Sequence, residues 1–375
     1  MRKNKFGAAL IDDFELYQTL ADEFGVDPTE ILQIDLNRCG INLKNNEVRE
    51  NFRVRFKGQI FGDYESWFAL PVMSQEDTNF SAYDGTIYYK DIPIGEVKSN
   101  LMLDTCESSY QRGPSLLNLN SRSRSNCGGC KACIHNYHKF YDETVIKDKH
   151  GLITRDDLEQ FFEYKKIDPS KLAQIAVVTG LFGSEENVVE HMKLIKEVAG
   201  ERGFKGELMY FGCEVNSNDA LKELSKLGNF SIIYAIDNFT NRSVMLAKKK
   251  SLITLDFAKD TLDRAKDNGI KTNISYIDGL DPIDKLKSGF EYIANSLTDF
   301  PIVNVFQIQT PEQSKILNPE ATELSYYLQS RIELEKIFKE TGLKPKRWSN
   351  YRPLWYKSFG DEKLPDNSFG QLEKF

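Results

Sequence analysis

Hydrophobic and polar positions along this chain follow two rhythms, and the change falls near residue 114. In the first part Phe14, Tyr17, Leu20, Ala21 and Phe24 recur at helical spacing, which predicts a helix over about 12–24. Asp27-Pro28-Thr29-Glu30 reads as the start of a second helix over 31–36. Strands then dominate. Phe52, Val54 and Phe56 alternate with Asn51, Arg53 and Arg55, and segments 86–89 and 92–97, parted by Lys90-Asp91, read as further short strands. Residues 1–113 are therefore expected to form a small N-terminal α+β accessory region, and they carry no recognisable catalytic constellation.

From Pro114 onward short apolar runs alternate with amphipathic stretches. Strands are expected at 116–119, 175–179, 207–211, 231–236, 272–277 and 302–308, and helices at 155–164, 185–202, 219–227, 255–268, 283–297 and 320–340. Six strand–helix units in strict alternation predict an α/β domain over 114–341, with a parallel sheet and right-handed crossovers. Periodicity alone does not choose between an open doubly wound sheet and a barrel. Both place ligands at the carboxyl ends of the strands, so the residues after each strand are where chemistry is sought. Residues 342–375 follow as a basic, aromatic strap and tail. Pro345 and Pro353 keep the strap extended, so it packs across the domain or, alternatively, grips nucleotides or a peptide. The polar end, 360–375, is expected to be loosely ordered.

The first strand end carries the densest chemistry. Cys127, Cys130 and Cys133 follow one another at Cys-x-x-Cys-x-x-Cys spacing on a turn that Gly128 and Gly129 allow to fold tightly. Three thiolates are one short of a closed zinc site or of an ordinary four-cysteine iron–sulfur cluster. Two readings stay open at this point. His135 or His138 completes a Cys3His zinc knuckle, or a non-protein ligand takes the fourth corner. Cys106, two dozen residues upstream, is a further candidate ligand, whereas Cys39 and Cys213 read as small buried side chains.

The other strand ends are polar or glycine-rich. Thr179-Gly180 opens a turn after the second strand whose amides suit a carboxylate at a helix start. Gly212-Cys213-Glu214 follows the third, Asp237 to Arg242 the fourth, Asp278-Gly279-Leu280-Asp281 the fifth and Gln307 to Pro311 the sixth. From position, Asn118, Asn120, Glu214, Tyr234, Tyr276, Gln307 and Gln309 are expected to face a substrate. Bland roles compete with several functional ones. Asp281 suits the cap of the helix after Pro282, Glu185-Glu186 complement a helix dipole, His191 reads as a core or surface helix residue, and Arg122 and Arg124 read as solvated charges.

Composition narrows the class. The chain has 375 residues, 40% hydrophobic and 28% charged, with a net charge of −7, a profile that disfavours non-specific binding along a phosphate backbone. No stretch approaches the roughly 18 apolar residues of a membrane span, and the first ten residues lack an apolar core with a cleavage site, so a cytoplasmic protein without a membrane partner is expected. Six cysteines, three of them in one loop, do not form a secreted disulfide framework.

The three-cysteine loop after the first of six β/α units, the Thr-Gly turn after the second strand, the acid after the fourth and the Gly-Leu-Asp turn after the fifth resemble the radical S-adenosylmethionine (radical SAM) superfamily. The resemblance covers about 115–341 and is closest to the biotin synthase and thiamine tyrosine-lyase branch. It implies a partial (β/α)6 TIM-type barrel. It implies a [4Fe-4S] cluster held by Cys127, Cys130 and Cys133, with SAM on the open iron. Thr179 and Gly180 would face the methionyl group, Asp237 the ribose, and Ile277 and Gly279 the adenine. The implied activity is reductive cleavage of SAM to a 5′-deoxyadenosyl radical that abstracts hydrogen from a small molecule, an amino acid or a peptide. The alternatives are modification of a nucleic-acid base, supported by the basic aromatic strap, and a non-catalytic zinc-binding protein. An oxygen-sensitive enzyme fed by flavodoxin or ferredoxin is implied, with one cluster, since Cys39, Cys106 and Cys213 have no ligand spacing. The loop departs from the family's common pattern, which has three residues between its first two cysteines and an aromatic before its last. Here Ala132 precedes Cys133, and Tyr137 or Phe140 is the candidate aromatic cover.

Overall fold

Asp27 starts the second helix by accepting the Thr29 N–H at 2.8 Å, while Pro28 takes the first helical position, where a missing N–H costs nothing. The computed structural model describes residues 5–43, 49–56, 64–71, 78–103, 109–112, 115–121, 129–133, 151–178, 180–346 and 352–364. Helices α1 (Lys5–Phe24) and α2 (Pro28–Cys39) precede five strands: β1 (Arg49–Phe56), β2 (Tyr64–Pro71), β3 (Phe80–Tyr83), β4 (Thr86–Tyr89) and β5 (Ile92–Leu103). These form an antiparallel sheet in the order β2-β1-β5-β4-β3.

A short strand, β6 (Tyr110–Arg112), turns back antiparallel onto β7 (Leu116–Leu119), the first strand of the second sheet. The chain continues as α3 (Arg155–Tyr164), β8 (Gln174–Val178), α4 (Glu185–Glu201), β9 (Glu207–Gly212), α5 (Asn218–Ser225) and β10 (Phe230–Asp237). Two single-turn helices, α6 (Arg242–Met245) and α7 (Lys248–Ser251), lead into α8 (Leu255–Asp267). Then come β11 (Lys271–Asp278), α9 (Ile283–Ile293), β12 (Ile302–Val305), α10 (Pro311–Ser314), α11 (Leu324–Lys339) and a hairpin of β13 (Ser358–Phe359) and β14 (Glu362–Lys363).

Strands β7 to β12 are parallel and lie side by side in chain order, with no reversal at an inner strand. That order settles what periodicity left open. The sheet is a six-stranded parallel half-barrel, as in a partial TIM-type barrel, and not a doubly wound sheet, whose order reverses at a switch point. The sixth strand is shorter than expected and ends at Val305. Its outer edge is covered by the strap: Val305 N–H donates to the Arg352 carbonyl at 2.9 Å and Arg352 N–H to Asn304 Oδ1 at 3.0 Å.

Alternation along each strand separates two faces. Leu117, Ile175, Leu208, Ile232, Tyr234, Ile274, Tyr276 and Val303 belong to the large core shared with the helices. Their neighbours of the opposite parity, among them Asn118, Ala176, Met209, Ile233, Ser275 and Asn304, form the concave face. In the strap Leu354 and Trp355 are fully buried, and the Trp355 ring meets Phe300 edge-on at 4.9 Å. Among the described residues no helix is long and apolar enough to cross a membrane.

Candidate active site at the strand ends

Cys130 and Cys133 are half-buried and belong to no disulfide. Gly129, at φ 79, admits the backbone to a turn that Cys133 N–H closes on the Cys130 carbonyl at 2.9 Å. The turn is docked onto the segment after β10. Lys131 N–H donates to the Met245 carbonyl at 2.8 Å, and Ala247 N–H donates to Cys130 Sγ at 3.3 Å. From the other side Gln313 Nε2 donates to the Ala132 carbonyl at 3.2 Å. Cys130 and Ala132 rest on an apolar layer of Met245, Leu246, Leu280 and Phe306, which Ile277 joins. Cys127, Cys106, Arg122, Arg124, His135, Tyr137, His138 and Phe140 lie outside the described residues. Among those described, no group of three His, Cys, Asp or Glu side chains stands together as a metal set.

Beside the cysteine turn lies a half-buried ion pair. Asp237 ends β10 at a register shift, with a left-handed backbone (φ 67) unusual for a residue with a Cβ. Its carboxylate pairs with the Lys250 ammonium and accepts the Ser275 hydroxyl at 3.0 Å. Burial alone pulls the Lys250 pKa down, but the fields of Asp237, Cys130 and Cys213 outweigh it, so the ammonium is held above its ordinary value. Burial pushes the Cys213 thiol up to about 11. The end of β9 thus brings Cys213 into the same electrostatic cluster as Cys130, Asp237 and Lys250. Sequence reasoning missed Lys250, because nothing distinguishes it from Lys248 and Lys249 beside it. Cys39 lies elsewhere, on α2, and its thiol donates to Asp35 Oδ1 at 3.4 Å.

Thr179 lies outside the described residues, and Gly180 is half-buried in the turn that follows it. The amides of this turn do meet a carboxylate, and it is the chain's own. Phe182 N–H and Gly183 N–H donate to Glu214 at 2.6 and 2.9 Å. Glu214 is therefore a brace between the β8 and β9 loops, which corrects its placement as a substrate-facing residue. Glu185 does more than complement its helix, since it accepts the Asn216 and Ser217 amides at 3.0 and 2.9 Å. His191 is buried on α4 with its ring against Phe182.

After β11, Ile277 faces the apolar layer under the cysteine turn. Gly279 adopts φ 114, and a Cβ there would meet the Tyr327 hydroxyl at 3.0 Å and Phe306 Cβ at 3.1 Å. Asp281 does not cap α9, whose N-cap is Pro282 without a side-chain bond. It is fully buried and accepts Phe239 N–H at 2.7 Å, Thr240 N–H at 2.8 Å and the Tyr276 hydroxyl at 2.9 Å, tying the β10 loop to the β11 loop. Tyr234 and Tyr276 also depart from expectation. They have core parity, so Tyr234 reaches Asn216 on the helix side at 2.6 Å and Tyr276 stacks on Phe239. Gln307 accepts from Arg352 Nη1 at 3.0 Å, and Gln309 N–H donates to Gln313 Oε1 at 2.9 Å.

Of the three cysteines Cys130 and Cys133 are described, and the surroundings of Cys130 fit a thiolate ligand. An N–H···S bond to a ligand sulfur, a nearby cation and an apolar cover are the means by which a protein stabilises such a group. No known protein-family model matches the sequence, and no curated protein matches it. Among solved structures the chain is similar to Streptococcus suis SuiB bound to S-adenosylmethionine, at 10% identity over 63% of this chain and 54% of that one, TM-score 0.41. It is similar to the FeFe-hydrogenase maturase HydG from Carboxydothermus hydrogenoformans, at 16% identity over 60% and 51%, TM-score 0.42. A third is the radical S-adenosylmethionine methyltransferase TsrM from Kitasatospora setae, with cobalamin and [4Fe-4S] cluster bound, at 11% identity over 53% and 37%, TM-score 0.34. The chain spans about half the length of the first two.

Proposed function

We propose that this protein is a radical SAM enzyme in which Cys127, Cys130 and Cys133 hold a [4Fe-4S] cluster. Thr179, Gly180, Asp237, Ile277 and Gly279 border the SAM beside it. The observation that carries the reading is the docking of Cys130 at the strand ends of a parallel half-barrel. Its sulfur accepts the Ala247 N–H over a layer of Met245, Leu246, Leu280 and Phe306. When bound, the two cofactors would supply hydrogen-atom abstraction through reductive cleavage of SAM.

The chain's own residues give that chemistry a fixed and dry setting. Glu214 holds the amides of Phe182 and Gly183, which braces that part of the turn after β8. Lys250, paired with Asp237, also lies in the field of Cys130, which helps hold its ammonium charged. Met245, Leu246 and Phe306 exclude water from the sulfur side. In this reading residues 114–341 are the catalytic barrel, with 1–113 and 342–375 as accessory parts. The concave face sets the apolar Met209 and Ile277 beside the polar Asn118 and Ser275, a mixture suited to a small molecule, an amino acid or a peptide side chain.

Anaerobic reconstitution should load about four irons per chain, and dithionite with SAM should then release 5′-deoxyadenosine. Cys130→Ala should abolish both. A colourless protein with one zinc and no iron would replace this reading with a Cys3His site.

A further inference from the structure

Resting on that reading, we propose that the α6–α7 segment is the docking face for an acidic one-electron carrier protein. The chain as a whole has an acidic excess, yet no Asp or Glu occurs between Asp237 and Asp256, where Arg242, Lys248, Lys249 and Lys250 all fall. Two of these four cations are turned inward. Arg242 donates to the carbonyls of Ile236 at 2.7 Å, Asn238 at 2.5 Å and Ile253 at 3.1 Å, and Lys250 pairs with Asp237. Lys248 and Lys249 are left on the surface, beside Val244 at 55% and Leu252 at 73% exposure. Lys131 of the cysteine turn is also exposed, and its backbone is bonded to this same segment. Exposed lysines and exposed apolar side chains therefore share one short segment, the composition of a small transient interface.

The buried side of the same segment touches the sulfur. Ala247, the residue just before Lys248, donates its N–H to Cys130 Sγ at 3.3 Å, and Met245 accepts the Lys131 N–H. A carrier seated on Lys248 and Lys249 is therefore separated from a cluster ligand by a few covalent bonds and one hydrogen bond. In the transfer the carrier is oxidised by one electron and the cluster is reduced by one; no bond is made or broken and no proton moves. Charge complementarity makes the partner acidic, and it makes association fast and dependent on salt. A single-stranded nucleic acid fits less well. Phe257, 43% exposed, is the single exposed aromatic flanking the segment, one stacking surface where a strand needs several in succession.

The test uses the reconstituted holoenzyme, a flavodoxin as probe, and two variants, Lys248→Glu/Lys249→Glu and Leu252→Ser. Flavodoxin affinity at low salt should fall about tenfold or more in the charge-reversed chain and more modestly in Leu252→Ser. Cleavage of SAM driven by reduced flavodoxin should fall in parallel, while cleavage driven by dithionite, which needs no docking face, stays at the wild-type rate. Equal flavodoxin affinity in wild type and the charge-reversed variant overturns the proposal. So does tighter binding of a single-stranded oligonucleotide through the same lysines. If dithionite yields no 5′-deoxyadenosine from the wild type, the reading of the cysteine loop fails instead, and the flavodoxin titration still decides the surface.

Discussion

Glu30 Oε1 on α2 lies 3.2 Å from Arg331 Nη1 on α11, and both side chains are shielded from solvent. The same carboxylate accepts the amides of Tyr356 and Lys357 at 2.7 and 2.6 Å, and the guanidinium donates to the Leu354 and Ser358 carbonyls at 3.0 Å each. One ion pair thus clips the N-terminal helices, the last barrel helix and the strap together. Burial would raise the Glu30 pKa, but Arg331 and the strap amides outweigh it and hold the carboxylate below its ordinary value.

Glu30→Gln leaves Arg331 buried with less compensation and should cost about 3–5 kcal/mol, read from urea unfolding near neutral pH. The sign of its pH dependence follows from the depressed pKa. Its contribution is present above the unfolded glutamate value and lost as pH falls through the folded one. The gap between wild type and variant should therefore narrow in acid.

Asp278 gives the opposite sign. It is fully buried at the end of β11, accepts the Ser330 hydroxyl at 3.0 Å, and burial pushes its pKa up to about 7. The folded state then holds a proton that the unfolded state releases near pH 4, so stability declines between about pH 4 and 7. Asp278→Asn should match wild type in acid and exceed it at about pH 8 by up to about 4 kcal/mol. Parallel melting curves across pH check this; a constant difference would contradict it.

Lys250→Met strands the Asp237 carboxylate in a site where both side chains are about 15% exposed. A loss of about 3–5 kcal/mol is expected. Adding Asp237→Asn should recover part of it, because the neutral pair no longer buries an uncompensated charge. Additive losses in the double-mutant cycle would show that the two groups are not coupled.

Gly279→Ala combines φ 114 with close contacts to the Tyr327 hydroxyl and Phe306. It should destabilise the chain by about 1–3 kcal/mol and weaken SAM binding to the reconstituted protein, measured by calorimetry. Ala substitution at Gly228, which has a positive φ but open space around it, should cost less and leave SAM affinity unchanged.

The six strand–helix units were legible because a parallel strand buried on both faces reads as an apolar run, and an amphipathic helix repeats its apolar residues with its turn. The cysteine triplet stood out as a candidate for another reason: its three thiols are close in sequence, so their spacing can be read without the fold. The roles of Glu214 and Asp281 were hidden. Their partners are backbone amides on neighbouring strand loops, and every residue but proline has such an amide.

What the sequence determined by itself, then, is whatever depends on near neighbours: the periods of strands and helices, the thiol spacing, and the lack of acid between Asp237 and Asp256. Tertiary structure alone decided the rest. It made the sheet a half-barrel in chain order, turned Lys250 inward while Lys248 and Lys249 stayed outside, and joined Glu30 to Arg331 across 301 residues. The physical reason is that desolvation and charge pairing are set by which surfaces meet in space. A residue's own type and its place in a local pattern carry no record of that meeting.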